Sequence, residues 1–289
     1  MEIRKTPRGR ANLHIWRTGQ SYEHQKGHLY LNDWTNVMFA TLPFPDTNQI
    51  NYYDVRKEFP FNDHSFDAVY ALHIVEHLVY KENLSFMREV NRVLKPGGIL
   101  RISTPDLEDI CYQYLKKLDA VTANPSSENI LRYDWAMLEL MDQIVRQKPG
   151  GLMAEAVKKC YFDPEYAKWR YGDVFDEFYQ KGNQTKRLNP EIPTKAKFNK
   201  NFKDYVYRFY RKILMKIWKG DPRRTIEANR WMFDRVSLKI LFEEVGFQGF
   251  QIMKFNQSDI PDWKQYNFDQ SNYGSYPVEP SLYAEAKKP

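Results

Sequence analysis

Cysteine is scarce: Cys111 and Cys160 are the only two among 289 residues. Neither sits in a CxxC or Cys/His metal spacing, so no disulfide framework and no metal site is expected, which suits a reducing compartment. No run approaches the roughly 20 consecutive apolar residues that span a bilayer. The basic start, MEIRKTPRGR, leads into no apolar signal core, so a cytoplasmic location is expected. No GxGxxG follows the first strand-like segment, which argues against a nicotinamide-type dehydrogenase. Internal repeats and low-complexity tracts are also missing.

What is present is an ordinary globular composition, 42% apolar and 28% charged, with a high aromatic content of 16%. A chain of this length can bury a full core, either as one large domain or as one domain carrying an insertion. The net charge of +6 is unevenly placed. Between Lys195 and Arg224 stand eleven Lys/Arg against two acids, Asp204 and Asp221. Such a block suits an anionic neighbour, and it suits a solvated surface equally well. Residues 202–218 read as a basic amphipathic helix, so peripheral membrane contact is one expectation and packing on its own domain the other. No nucleic-acid partner is expected, because no recognised binding motif accompanies the charge.

The pattern along the chain predicts a strand at 12–16 and a second at 28–31 or around 37–39. The short apolar run FDAVYAL at 66–72 predicts a strand buried in a parallel sheet. A helix over 81–94 follows, with Leu84, Met87, Val90, Val93 and Leu94 on one face. Pro96-Gly97-Gly98 is expected to end it through a glycine C-cap. A strand at 99–104, a helix at 106–118 and the crossover connections imply a doubly wound sheet. Helices then dominate from 120 to 229, with one at 130–147. A helix at 236–245 and strands at 247–255 and 281–287 close the sheet. Three parts are therefore expected: 1–119, a mostly helical insertion at 120–229, and 230–289.

Two strings carry a family resemblance: DVRKEFPFNDHSFDAVYALHIVEHL at 54–78 and REVNRVLKPGGILRISTPDLE at 88–108. Both resemble class I S-adenosylmethionine-dependent methyltransferases of the type 11 group. The resemblance implies a Rossmann-like, doubly wound, mostly parallel α/β sheet with a helical insertion. Further stretches at 133–153, 229–247 and 281–289 look like uncharacterised bacterial methyltransferase-like proteins, many of which resemble enzymes that tailor surface polysaccharides or small molecules.

By that resemblance the cofactor would be S-adenosylmethionine, with Thr18, Gly19, Asp54, Ala71 and Leu72 at its site. Two positions depart from the family. Aligning Leu13–Thr18 with the family's LHLGCG puts Trp16 and Thr18 where the first two glycines belong, leaving Gly19 nearby. Met38 stands where the ribose-binding acid belongs, and a thioether is a poor acceptor for ribose hydroxyls. Asp33 or Asp54 would substitute only through a rearranged loop.

His73 or His77 is a candidate general base, since imidazole titrates near working pH. Glu76 and His77 read otherwise as caps of the following helix that orient the loop. Glu139, Asp142, Gln143 and Arg146, at helical spacing, line either an acceptor pocket or a structural network, and Trp231 and Asp234 either a pocket wall or core. Asn229 stands where closer relatives carry a His. Two functions follow as expectations. One is methyl transfer to an oxygen or nitrogen of a small, anionic or sugar-linked acceptor. The other is a catalytically silent methyltransferase fold that binds or scaffolds within a biosynthetic complex.

Overall fold

The computed structural model describes residues 1–17, 33–40, 50–146, 150–172, 228–269 and 281–289. Thr18, Gly19, the alternative strand at 28–31, the helix at 202–218 and the basic block lie outside them. Seven strands form one sheet: β1 (Asn12–Arg17), β2 (Thr35–Phe39), β3 (Asn51–Tyr53), β4 (Phe66–Leu72), β5 (Leu94–Thr104), β6 (Gln248–Met253) and β7 (Leu282–Lys287). Their order is β3-β2-β1-β4-β5-β7-β6. β7 runs antiparallel to both β5 and β6, and the remaining pairs are parallel. The result is a Rossmann-like α/β sheet.

Period-two alternation sorts side chains between the two faces. One face carries Leu13, Ile15, Val37, Val69, Leu100, Ile102 and Ala284 into the main core. It is covered by α1 (Tyr80–Val93) and α5 (Arg235–Glu244), which contribute Phe86, Met87, Val90, Leu238, Leu241 and Phe242. The predicted helix over 81–94 thus forms one residue earlier at each end. Its end differs from expectation. No glycine caps it: Leu94 at the C-cap is already extended and opens β5. The glycines serve the strand instead. A Cβ on Gly98 would stand 2.8 Å from the Lys95 carbonyl oxygen and 3.2 Å from that of Asp67, too close for any side chain there.

The other face is polar at its centre. Arg101 of β5 is fully buried, with Nη2 2.9 Å from Asp269 and Nη1 2.7 Å from Glu285 of β7. Its Nη1 also donates to the Gln257 carbonyl at 2.8 Å. Trp263 lies against the guanidinium at 4.5 Å and Tyr283 at 5.1 Å. The Tyr70 hydroxyl donates to Asp269. Residues 254–269, a segment with little regular structure, are held over the sheet by this buried cation and, at the surface, by Arg8 and Arg10 on Asp262.

Three further helices, α2 (Leu107–Ala123), α3 (Ser127–Val145) and α4 (Gly151–Lys159), lie beyond β5. Asp106 caps α2, accepting from the amides of Glu108 and Asp109. Ser126 caps α3 through the Asn129 amide. A helical run at 164–172 packs on them. Arg170 ties that run to two of them, bonded to Glu139 of α3 and to Asp109 of α2 at 2.6 Å.

Replacing Arg101 by Met should leave two buried carboxylates without their cation. A loss of about 3–5 kcal/mol is expected in urea denaturation. Adding Glu285→Gln to that variant should recover part of the loss, because one stranded charge is removed.

Candidate functional site

In an open α/β sheet, ligands bind outside the carboxyl ends of the strands where the strand order reverses. Here the chain runs outward through β1, β2 and β3, then returns to start β4 on the other side of β1. The crevice therefore belongs at the ends of β1 and β4, where Trp16 and Leu72 are register partners.

Trp16 also pairs with Met38 of β2, and Met38 with Tyr52 of β3. These residues make one row across four strand ends. Trp16 is wholly buried in a cluster with Met38 and Ile50, against which Tyr52 and Leu72 pack. Behind it, the His14 imidazole stacks on Trp16 at 4.6 Å and on Tyr70 at 5.4 Å. Burial pushes the His14 pKa down to about 3, so the ring is neutral and joins the stack as an aromatic.

The fit of S-adenosylmethionine to this floor can be tested on the side chains themselves. Trp16 fills volume where the family places a glycine, and its indole Nε1 is buried with no hydrogen-bond partner among the described residues. Met38 supplies no carboxylate for a ribose. Asp54 follows β3, but both its oxygens are held by Arg56, at 2.8 Å and 2.7 Å. Burial works against the Asp54 charge, yet the Arg56 hydrogen bonds hold its carboxyl below the usual range. Ala71 points into the main core. The described β1–β2 half of the site does not fit the cofactor.

The β4–β5 half is arranged differently. His73 sits just past β4 with φ of 50°, in the left-handed region that side chains seldom adopt. Its Nδ1 lies 2.9 Å from Glu76 Oε1 and its Nε2 3.1 Å from Ser281 Oγ. Glu76 is buried, within 3.7 Å of His77 Nε2, and its other oxygen accepts from Thr104 at 3.2 Å. The Glu76 carbonyl also accepts from the amides of Arg230 and Trp231, at 2.7 Å and 3.1 Å. Burial would raise the Glu76 pKa, but the His73 charge and hydrogen bond, with the His77 charge, bring it down to about 2. Glu76 and His77 thus do not cap α1. Glu82 reaches back to the Val79 amide at 3.1 Å instead, and Glu76 turns inward because the short 3-10 turn Val75–His77 precedes the helix. A buried carboxylate orienting an imidazole is the pattern of a supported general base.

The insertion's candidate residues are brought together, largely with one another. Glu139 holds Arg170. Asp142 accepts from the amides of Leu152 and Met153 at the start of α4, at 2.7 Å and 3.3 Å, and lies 3.6 Å from Arg146. Gly151 allows that approach, since a Cβ there would sit 2.2 Å from the carboxylate. Gln143 accepts twice from Asn229, at its carbonyl from the backbone amide at 2.8 Å and at Oε1 from the side-chain amide at 2.9 Å. Trp231 is half exposed on the same strap, and Asp234 caps α5. Sequence reading missed Glu76 as the hub. The signal was its three-residue spacing after His73, which a 3-10 turn folds into contact.

Because its folded pKa lies below the ordinary 4.5, Glu76 contributes stability that is complete above that value and disappears as pH falls towards about 2. A shift of that size corresponds to on the order of 3 kcal/mol. Glu76→Gln should lower stability at neutral pH and flatten the acid limb of the stability profile, as read by urea denaturation across pH.

Residues 25–102 match the family model described as a methyltransferase domain. Among curated proteins, a sterol 24-C-methyltransferase of Yarrowia lipolytica (strain CLIB 122 / E 150) is 29% identical over 139 residues, covering 44% of this chain and 34% of that protein. The chain thus spans about a third of the length of the curated relative it matches. Among solved structures, a SAM-dependent methyltransferase of Methanosarcina mazei aligns over 100% of this chain and 94% of its own, at 12% identity and a TM-score of 0.36. The CurJ carbon methyltransferase aligns over 100% of this chain and 50% of its own, at 11% identity and a TM-score of 0.38. Residues 25–102 of this chain thus match a methyltransferase domain, and the sheet is of the kind that the motifs at 54–78 and 88–108 imply.

Proposed function

We propose that this protein keeps the methyltransferase fold as a binding or scaffolding member of a biosynthetic complex, with the cofactor floor of β1 and β2 closed. The observation that carries the reading is the buried Trp16–Met38–Ile50 cluster at the switch point. An indole replaces open space and a thioether replaces a hydrogen-bonding acid. Both changes act on one ligand, and neither exposes a new polar group in compensation. The partner in such a complex would be a small, anionic or sugar-linked molecule or the enzyme that handles it.

A second reading is favoured by the family match and by the oriented imidazole of His73. It is methyl transfer from S-adenosylmethionine to an oxygen or nitrogen of a small acceptor. His73 would take the acceptor's proton at Nε2, the atom now facing Ser281, while Glu76 fixes the ring through Nδ1. Glu139, Asp142, Gln143, Arg146 and Trp231 remain candidates for the acceptor's surroundings in that reading. Their internal partners mean that the acceptor would have to displace existing bonds.

Calorimetric titration with S-adenosylmethionine and S-adenosylhomocysteine separates the two. The closed floor predicts no heat of binding at millimolar ligand. Micromolar binding by the unaltered chain would sink the first reading and leave the second. Trp16→Gly combined with Met38→Asp should create measurable binding if these two side chains are what closes the site.

A further inference from the structure

One hydroxyl at the strand ends has a chemistry of its own. Ser281 stands just before β7, next to Leu282, whose register partner is Thr104 at the end of β5. Because β7 runs antiparallel to β5, its first residues lie at the carboxyl ends of β4 and β5. That is the edge of an open α/β sheet where ligands are met.

Three side chains follow one another there. Glu76 Oε1 lies 2.9 Å from His73 Nδ1, and His73 Nε2 lies 3.1 Å from Ser281 Oγ. Glu76 stays ionised, so its oxygen accepts the Nδ1 proton and leaves the Nε2 lone pair to accept from the Ser281 hydroxyl. The second Glu76 oxygen accepts from Thr104 at 3.2 Å, which keeps the carboxylate from turning away. The His73 backbone, at φ of 50°, is held by its amide's bond to the Ser103 carbonyl at 2.9 Å. Such strain persists only where the surroundings enforce it, and here it turns the imidazole towards Ser281.

Exposure rises along the same line. The Glu76 side chain is 1% exposed and that of His73 8%. Ser281 is partly exposed. A relay that activates a hydroxyl needs this order, because the carboxylate acts only on the imidazole while the oxygen must meet the substrate.

We propose that Ser281, His73 and Glu76 are a nucleophile, its base and the residue that positions the base, and that they move a small, uncharged acyl group from an ester or thioester to water. Ser281 Oγ bonds to the acyl carbon as its proton passes to His73 Nε2. The C–O or C–S bond to the leaving group then breaks, and the departing alcohol or thiol takes that proton. Water attacks the acyl-serine in the same way, giving its proton to Nε2. The carboxylic acid leaves as that proton returns to Ser281 Oγ. An uncharged acyl group suits the site, since a phosphate ester would bring like charge against the buried Glu76 carboxylate. This activity uses no methyl donor, so it goes beyond both readings above and depends on neither.

The test treats the full chain with an alkyl fluorophosphonate, an uncharged reagent that captures activated serines, and locates the adduct by peptide mass spectrometry. Turnover of p-nitrophenyl acetate is followed alongside. Ser281 should carry the label, about a hundredfold or more faster than in the same chain unfolded in urea. Ser281→Ala should abolish both label and turnover with little change in thermal melting. His73→Asn, chosen because asparagine tolerates the left-handed backbone, should slow both about a hundredfold or more. Glu76→Gln should also slow both, and Glu76→Asp, which returns the charge, should recover part of the rate. Equal loss in those two variants removes Glu76 from the relay. No label on Ser281 in the unaltered chain, or labelling as fast in His73→Asn or in urea, overturns the activated serine. Ester turnover that survives Ser281→Ala overturns the acyl transfer.

Discussion

The fold depends on a cation in the middle of a sheet. A strand with an arginine at its centre is ordinarily an edge strand or a surface strand, because an unpaired guanidinium cannot be buried. Arg101 is buried because Asp269 and Glu285 meet its charge and the carbonyls of residues 254, 255 and 257 take its remaining donors. One of those acids comes from the neighbouring strand and the other from a loop far along the chain. The segment at 254–269 is therefore placed by electrostatics as much as by packing, and Trp263, Tyr266 and Phe268 can then cover Ala68 and Tyr70. The polar centre is workable only while all the partners are present.

The same economy appears at the strand ends. Glu76 has no water-facing surface, and it satisfies itself by gathering His73, Thr104 and the 228–231 strap. That strap also carries Asn229 to Gln143, so the loop after β4, the end of β5 and the insertion are bonded into one unit. His73 gains a fixed orientation from this arrangement, and its left-handed backbone is held by the Ser103 carbonyl at 2.9 Å. Order at this half of the crevice contrasts with the apolar filling of the other half. The described residues thus set an ordered, charged half at the ends of β4 and β5 beside an apolar cluster at the ends of β1 and β2.

The insertion follows from a second buried cation, Arg170, which joins α2 and α3 through Asp109 and Glu139. By drawing the 164–172 run against α2, it sets Trp169 and Tyr166 opposite Lys116 and Lys117.

Much of the fold was legible in sequence because it rests on local, periodic signals. FDAVYAL reads as a buried strand from composition and length, and it forms over those same residues, Phe66–Leu72. The helices at 80–93 and 235–244 follow from apolar spacing, and the oddity of Trp16 and Met38 from the positions they occupy in the family motif. β3 was not legible: Asn-Tyr-Tyr is three residues long, and only pairing with β2 makes it a strand. Nor was the glycine pair after Lys95, since a C-cap and a strand-opening turn ask for the same residue type. The pairings themselves were decided by tertiary structure alone. Arg101 finds Asp269 across 168 residues and Arg170 finds Asp109 across 61, and no periodicity within either segment encodes the match. Sequence determined which faces are apolar and which family the motifs resemble. Only the folded chain could decide which charges are buried together, because a buried charge is tolerated solely where distant segments bring it a partner.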